Sequence, residues 1–230
     1  MSRPMPGAGD CLFGSDDTPI NAKVEAFWSW ALGDLCDDDV KGWFAEWMVA
    51  KLLSIPSARR ISWANSDLIT PEGVRIEIKS TSYWQSWKLV DEYGQPRPRP
   101  THKLPQDRAI GFGGLQARDA RTTSCQSDPV TYKSDLYVFA FQHEKDESRW
   151  NALDLAQWEF YILAVEDVCT IPTKRIGLAA LRAKQNPLTA IAFARLGREM
   201  ISAVATRRRT AEMSRHLADP QKILTVYPTE

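Results

Sequence analysis

The chain has 230 residues, 43% of them hydrophobic and nine of them Trp, enough for one domain to bury a sizeable core without disulfides or structural metals. Its 29 Lys and Arg balance 29 Asp and Glu, which excludes a uniformly polybasic or polyacidic protein. No apolar run approaches the ~18 residues of a membrane span, the first twenty residues hold no signal-peptide core, and Cys11, Cys36, Cys125 and Cys169 form no Cys-x-x-Cys pair, so a membrane protein, a zinc ribbon and a disulfide scaffold are all disfavoured.

These features lead us to expect a soluble, cytoplasmic protein, since scattered thiols suit a reducing compartment. His102, His143 and His216 are widely separated and show no metal-ligand spacing.

Residues 1–20 are rich in Gly, Pro and Asp and read as a loosely ordered N-terminal segment. Helical periodicity predicts a helix over 23–35 and a second over about 41–53. Asp39-Val40-Lys41, beside Asp37, Asp38 and Gly42, looks like the start of that second helix. It is apolar nearly all round, through Trp43, Phe44, Trp47, Met48, Val49, Leu52 and Leu53, so it is expected to pack inside the domain. Glu46 has Gly42, Trp43, Val49, Ala50 and Leu53 as helical neighbours and should meet little bulk water. A carboxylate placed there needs a partner, a metal ion or a proton. An ion pair with Arg59 or Arg60 and a place in a metal site are both open.

Next comes a hairpin. Val74-Arg75-Ile76-Glu77-Ile78-Lys79 alternates apolar and charged residues, which reads as a half-buried strand with Arg75, Glu77 and Lys79 on its exposed side. Residues 62–69 can form its partner, and Thr70-Pro71-Glu72-Gly73 supplies turn chemistry. A three-residue loop with Gly73 left-handed sets Thr70 against Val74 and Asp67 against Glu77. Residues so opposed sit roughly 4.5–5.5 Å apart on one face, and two carboxylates that close repel unless a cation lies between them, which argues for a divalent metal site. A two-residue loop would oppose Asp67 to Ile76 and send the carboxylates to different faces. The same residues also fit a solvated sheet face with a plain ion pair.

From 88 to 134 runs a long polar segment containing Pro96-Arg97-Pro98-Arg99-Pro100 and Gly111-Phe112-Gly113-Gly114. Irregular connections of that length are functional or disordered. Its Lys88, Arg97 and Arg99 are candidate phosphate contacts. Of the aromatics that follow the hairpin strand, Trp84 reads as packing rather than base stacking. Residues 136–141 and 158–163 read as further strands of one sheet, with a short connection or helix at 150–157, and Asp135 as the cap of the turn before the first. Helices are predicted over 174–184 and 187–216. Charge is lopsided: residues 10–40 hold Asp10, Asp16, Asp17, Glu25, Asp34, Asp37, Asp38 and Asp39 against Lys23, whereas 170–216 are rich in Arg and Lys, including Arg207, Arg208 and Arg209. That asymmetry fits a polyanionic partner or an ordinary solvated helix face.

An Asp, a turn and then apolar-Glu-apolar-Lys across a hairpin resembles the PD-(D/E)XK nuclease superfamily. The likeness spans about residues 40–165. It includes the helix Gly42-Trp43-Phe44-Ala45-Glu46-Trp47, the stretch Ser80-Thr81-Ser82-Tyr83-Trp84-Gln85, and the strands after Asp135 and Asp154, which are similar to a group of stand-alone bacterial members. Ser66, where the superfamily's name has Pro, is a departure. The resemblance implies an α/β fold with a restriction-endonuclease-like core, a central mixed β-sheet flanked by helices, and a helical C-terminal extension. In that reading 21–170 form the nuclease core, with a long basic loop at about 88–134, and 171–230 form a basic helical region packed on it. It further implies Mg2+, for which Mn2+ would substitute, held by Asp67, Glu77, the Ile78 carbonyl and Glu46. Lys79 would orient the attacking water, and Gln85 would contact phosphate or order Lys79. The implied activity is phosphodiester hydrolysis in nucleic acid, DNA above all, by a chain acting alone, as a homodimer or with a partner protein. The alternative is a non-catalytic nucleic-acid-binding module on the same fold.

Overall fold

The computed structural model describes residues 5–13, 15, 18–56, 60, 64–84, 107–116, 131–171 and 174–218. Strands β1 (Cys11–Phe13) and β2 (Pro19–Lys23) pair antiparallel, so part of the segment expected to be loosely ordered is strand. Helix α1 (Val24–Leu32) follows and buries none of its residues. Helix α2 (Asp38–Leu52) starts where Asp37 accepts from the Asp39 and Val40 amides at 3.0 and 3.2 Å. Asp38 and Asp39 occupy its first turn, where carboxylates complement the helix dipole.

The hairpin consists of β3 (Leu68–Ile69) and β4 (Arg75–Ser82), with Leu68 opposite Ile76 and Ile69 opposite Arg75. The Thr70 amide donates to the Val74 carbonyl and the Gly73 amide to the Thr70 carbonyl, each at 2.9 Å, and Gly73 takes φ +79°. That is the three-residue loop, and only glycine adopts its left-handed position without strain. Continued by one step, the register sets Asp67 opposite Glu77. β3 is nevertheless far shorter than the strand expected over 62–69, of which 62 and 63 lie outside the described residues.

β4 continues into a four-stranded mixed sheet with β6 (Leu136–Gln142) and β7 (Trp158–Ala164), in the order β3-β4-β6-β7. β6 runs parallel to β4 and antiparallel to β7. β6 is an unbroken apolar run from Leu136 to Phe141 and every residue of it is buried, the mark of a strand covered on both faces. One face carries Ile76, Ile78, Val138, Ala140, Phe160 and Ile162 against α2 and α5 (Ala190–Ala218), through Ala45, Met48, Val49, Phe193 and Ile201. The other carries Tyr137, Phe139, Phe141, Tyr161 and Leu163. It is covered by Ile110, Phe112 and Leu115, by Val168 of α3 (Val165–Cys169), and by Leu178 and Leu181 of α4 (Leu178–Lys184).

Three expectations change. Glu77 and Lys79 share their face with Tyr137 and Phe139, their parallel partners, so this side of β4 is not an open, solvated surface. Residues 110–115, expected within a long polar loop, supply core: β5 (Gly111–Phe112) pairs with β8 (Ile176–Gly177), and Phe112 and Leu115 are buried. α2 does not lie wholly inside, because Trp43 and Trp47 are exposed. Among the described residues no helix is long and apolar enough to cross a membrane.

Candidate functional site

Asp67, Glu77 and Lys79 come together because the hairpin register demands it. Asp67 immediately precedes β3, at the point where the backbone ladder stops, and its Oδ2 accepts from the Ile78 amide at 2.7 Å. Lys79, two residues beyond Glu77 on the same face, donates from Nζ to Glu77 Oε1 at 2.6 Å. The Glu77 side chain is 17% exposed and that of Lys79 25%. One oxygen of each carboxylate is thereby engaged, and among the described residues the other accepts no hydrogen bond. A residue's N–H and C=O point to the same edge of a strand, so the Ile78 carbonyl lies on the Asp67 edge of β4.

Glu46 approaches from α2. Its carboxylate accepts from Arg60 Nε at 2.7 Å and from a terminal nitrogen of Arg60 at 3.1 Å, so the ion pair left open by the sequence is made. Burial raises the Glu46 pKa against the pull of Arg60, and the nearby Asp67 carboxylate adds to the rise. Burial likewise raises Asp67, outweighing the Ile78 amide and the Lys79 and Arg60 cations. Glu77 is raised first by burial, then by Asp67, with Lys79 opposing. Three carboxylates, Glu46, Asp67 and Glu77, thus face two cations, Arg60 and Lys79. The half-buried cluster carries one negative charge too many, and burial above all makes the three acids hold protons more tightly than in water.

That charge deficit is one test of the implied metal ion. Among the described residues no three His, Cys, Asp or Glu converge into a ready-made cage. Mg2+ needs none, since it keeps several waters and takes one or two carboxylates. Asp67 and Glu77, each with a spare oxygen and beside the Ile78 carbonyl, fit such an ion; Glu46 is committed to Arg60.

The sequence did not single out Gly114. At φ +67° it sits against the Lys79 amine: a Cβ built there would lie 3.6 Å from Nζ. The Gly113-Gly114 doublet was the available signal, and its partner across the fold was not.

The other candidate contacts fall elsewhere. Gln85, Lys88, Arg97 and Arg99 lie outside the described residues. Arg207 pairs with Glu166 at 3.4 Å, Arg208 holds Asp135 and donates to the Gly73 carbonyl at 2.6 Å, and Arg209 bonds Thr206 on its own helix at 3.4 Å. Arg207 and Arg208 also line a cleft of about 380 Å³ with Val204 and Arg215, away from Glu77. We place the chemistry at the carboxylate pair rather than in that cleft, where Arg207 pairs with Glu166 and Arg208 with Asp135. Tyr83 is buried and Trp84 packs against the same cluster, consistent with packing rather than stacking.

No protein-family model, curated protein or solved structure matches the chain.

Proposed function

We propose that the protein is a metal-dependent nuclease with a restriction-endonuclease-like core, hydrolysing phosphodiester bonds in nucleic acid, DNA above all. The observation that carries this reading is the hairpin, where Asp67 accepts from the Ile78 amide at 2.7 Å and Lys79 lies 2.6 Å from the Glu77 carboxylate. The likeness to the PD-(D/E)XK superfamily supplies the reaction class. Asp67, Glu77 and the Ile78 carbonyl would hold Mg2+ or Mn2+, and Glu46 stands behind them as the Arg60-paired neighbour. The ion, when bound, supplies an acidified water and neutralises charge at the scissile phosphate.

The remaining work falls to the protein's own groups. Lys79 Nζ donates a hydrogen bond to the attacking water and to the charge that develops on phosphorus-bound oxygen. Gly114, having no side chain, leaves the Lys79 amine room to reach both. Arg60 keeps Glu46 charged without releasing it into the site. The superfamily likeness implies products with a 5′-phosphate and a 3′-hydroxyl.

One observation favours a second reading. Glu77 is bonded to Lys79 and Glu46 to Arg60, so the same residues can serve as an ion-pair network in a non-catalytic nucleic-acid-binding module. Cleavage of supercoiled, linear duplex and single-stranded DNA by wild type and Lys79→Ala, with Mg2+, Mn2+ or EDTA, decides between them. Metal-dependent cutting that disappears in the variant is the expected result. Absence of cutting together with absence of Mn2+ binding by folded protein would remove the nuclease reading.

A further inference from the structure

Helix α2 holds two large aromatic side chains that the core does not use. Trp43 is 41% exposed and Trp47 55%, and four-residue spacing puts them on one side of the helix. Each has a cation at its ring: the Arg60 guanidinium lies 5.5 Å from the Trp43 centroid and the Lys51 ammonium 6.0 Å from that of Trp47. Arg60 is also the residue that grips Glu46. Glu46 in turn is close enough to Asp67 and Lys79 for their charges to move its pKa. Direct contacts therefore link Trp43 through Arg60 to Glu46, and Trp47 lies one turn further along the same side of α2.

Exposed aromatic faces interleaved with Lys and Arg suit a ligand that offers flat rings and phosphates together. A duplex keeps its rings inside the stack and offers only phosphates and groove edges, which these two indoles cannot engage. A single strand offers both. We infer that Trp43 and Trp47 form a base-stacking platform that receives single-stranded nucleic acid and delivers its backbone to the Asp67–Glu77 site. The inference rests on the phosphodiesterase reading for the delivery step, while the binding step stands on the aromatic pair and its cations.

The test is a fluorescence-anisotropy titration of the full chain, in EDTA, with a short labelled oligothymidylate and with a duplex of equal length. Wild type is expected to bind the single strand at least ten-fold more tightly than the duplex. Trp43→Ala and Trp47→Ala should each weaken that binding about ten-fold, the low-to-middle range for loss of one stacked base. Trp43→Phe and Trp47→Phe should restore most of it, and Trp30→Ala, on the exposed side of α1, should change it less than two-fold. Equal affinity for duplex, or wild-type affinity in folded Trp43→Ala and Trp47→Ala, overturns the platform. So does a Trp47-dependent dimer formed without nucleic acid. Tryptophan-dependent binding with neither cleavage nor Mn2+ binding would uphold the platform and remove the nuclease reading. Duplex cleavage indifferent to both tryptophans would do the reverse.

Discussion

The Asp67 carboxylate stands in for a strand: its Oδ2 accepts the Ile78 amide at 2.7 Å, at the point where the β3–β4 backbone ladder has ended. A side chain thereby satisfies a main-chain donor on a core strand, and the candidate metal ligand is also part of the sheet. Mutations at Asp67 consequently act on fold and chemistry together, and the choice of replacement separates the two.

Asp67→Ala strips the Ile78 amide of its acceptor, and a buried donor left unpaired costs about 1–3 kcal/mol. Asp67→Asn keeps an acceptor oxygen at nearly the same place and should recover most of that loss in urea unfolding. Both variants are expected to lose metal-dependent cleavage. Equal stability of Asp67→Ala and wild type would show that the bond contributes nothing to the fold.

Glu77→Gln should leave a folded protein that no longer responds to Mn2+. A ligand that binds only the folded state at one hundred times its Kd stabilises by about 2.7 kcal/mol, which wild type should show as a rise in Tm. The variant should show little or none, because one of the two carboxylates is gone. A full rise in Glu77→Gln would place the ion elsewhere.

At Gly114, substitution by Ala forces a side chain into a left-handed backbone of φ +67°, at about 1–2 kcal/mol, and sets its Cβ 3.6 Å from Lys79 Nζ. Lowered stability together with a fall in kcat beyond that of a remote destabilised control is the expected pattern. A stability loss with unchanged kcat would mean that Gly114 serves the turn alone.

The Arg207-Arg208-Arg209 run divides by what each residue touches. Arg208 links α5 to Asp135 and to the hairpin turn at Gly73, and its guanidinium is partly exposed, so Arg208→Ala should cost about 1 kcal/mol after solvent screening. Among the described residues Arg209 hydrogen-bonds Thr206 of its own helix and acts on the fully exposed Glu72 only through charge, so Arg209→Ala should stay within about 0.5 kcal/mol of wild type. Denaturant midpoints of the two variants check the order.

pH dependence is clearest at Asp107. The Tyr83 hydroxyl first, and then Arg182 and Lys145, hold its carboxyl below the usual carboxylate range. A depressed folded pKa gives stability that is present above the ordinary Asp value of 3.8 and is lost as pH falls through the folded value. Asp107→Asn should therefore be less stable than wild type at neutral pH, with the difference closing on acidification below that value. Thermal unfolding of both proteins across that range measures it.

The hairpin and its loop were readable because their signals are local. Alternation of Val74, Ile76 and Ile78 sets the faces and Gly73 permits the left-handed turn, while the choice between a two- and a three-residue loop came from the structure, which takes the latter. The apolar run of β6, the strand β7 and the long helix α5 were readable for the same reason, and so was the helix start at Asp37 to Lys41. The sequence also limited Glu46 to an arginine pair or a metal site, because an acid on an apolar helix must have some partner.

What neighbours decide was not readable. Alternation shows that Glu77 and Lys79 share a face, but not that Phe112, Leu115 and Leu178 roof it, since those residues arrive from distant segments. Periodicity could not say which side of an all-round apolar helix faces solvent, so the exposure of Trp43 and Trp47 came only from the packing of α2 against the sheet. Likewise Arg60 on Glu46, Gly114 on Lys79 and Arg208 on Asp135 are contacts across long stretches of chain. Sequence determined which residues share a strand face and a register, because backbone geometry repeats every few residues. Tertiary structure decided which of them meet water, because burial depends on surfaces that only the folded chain brings together.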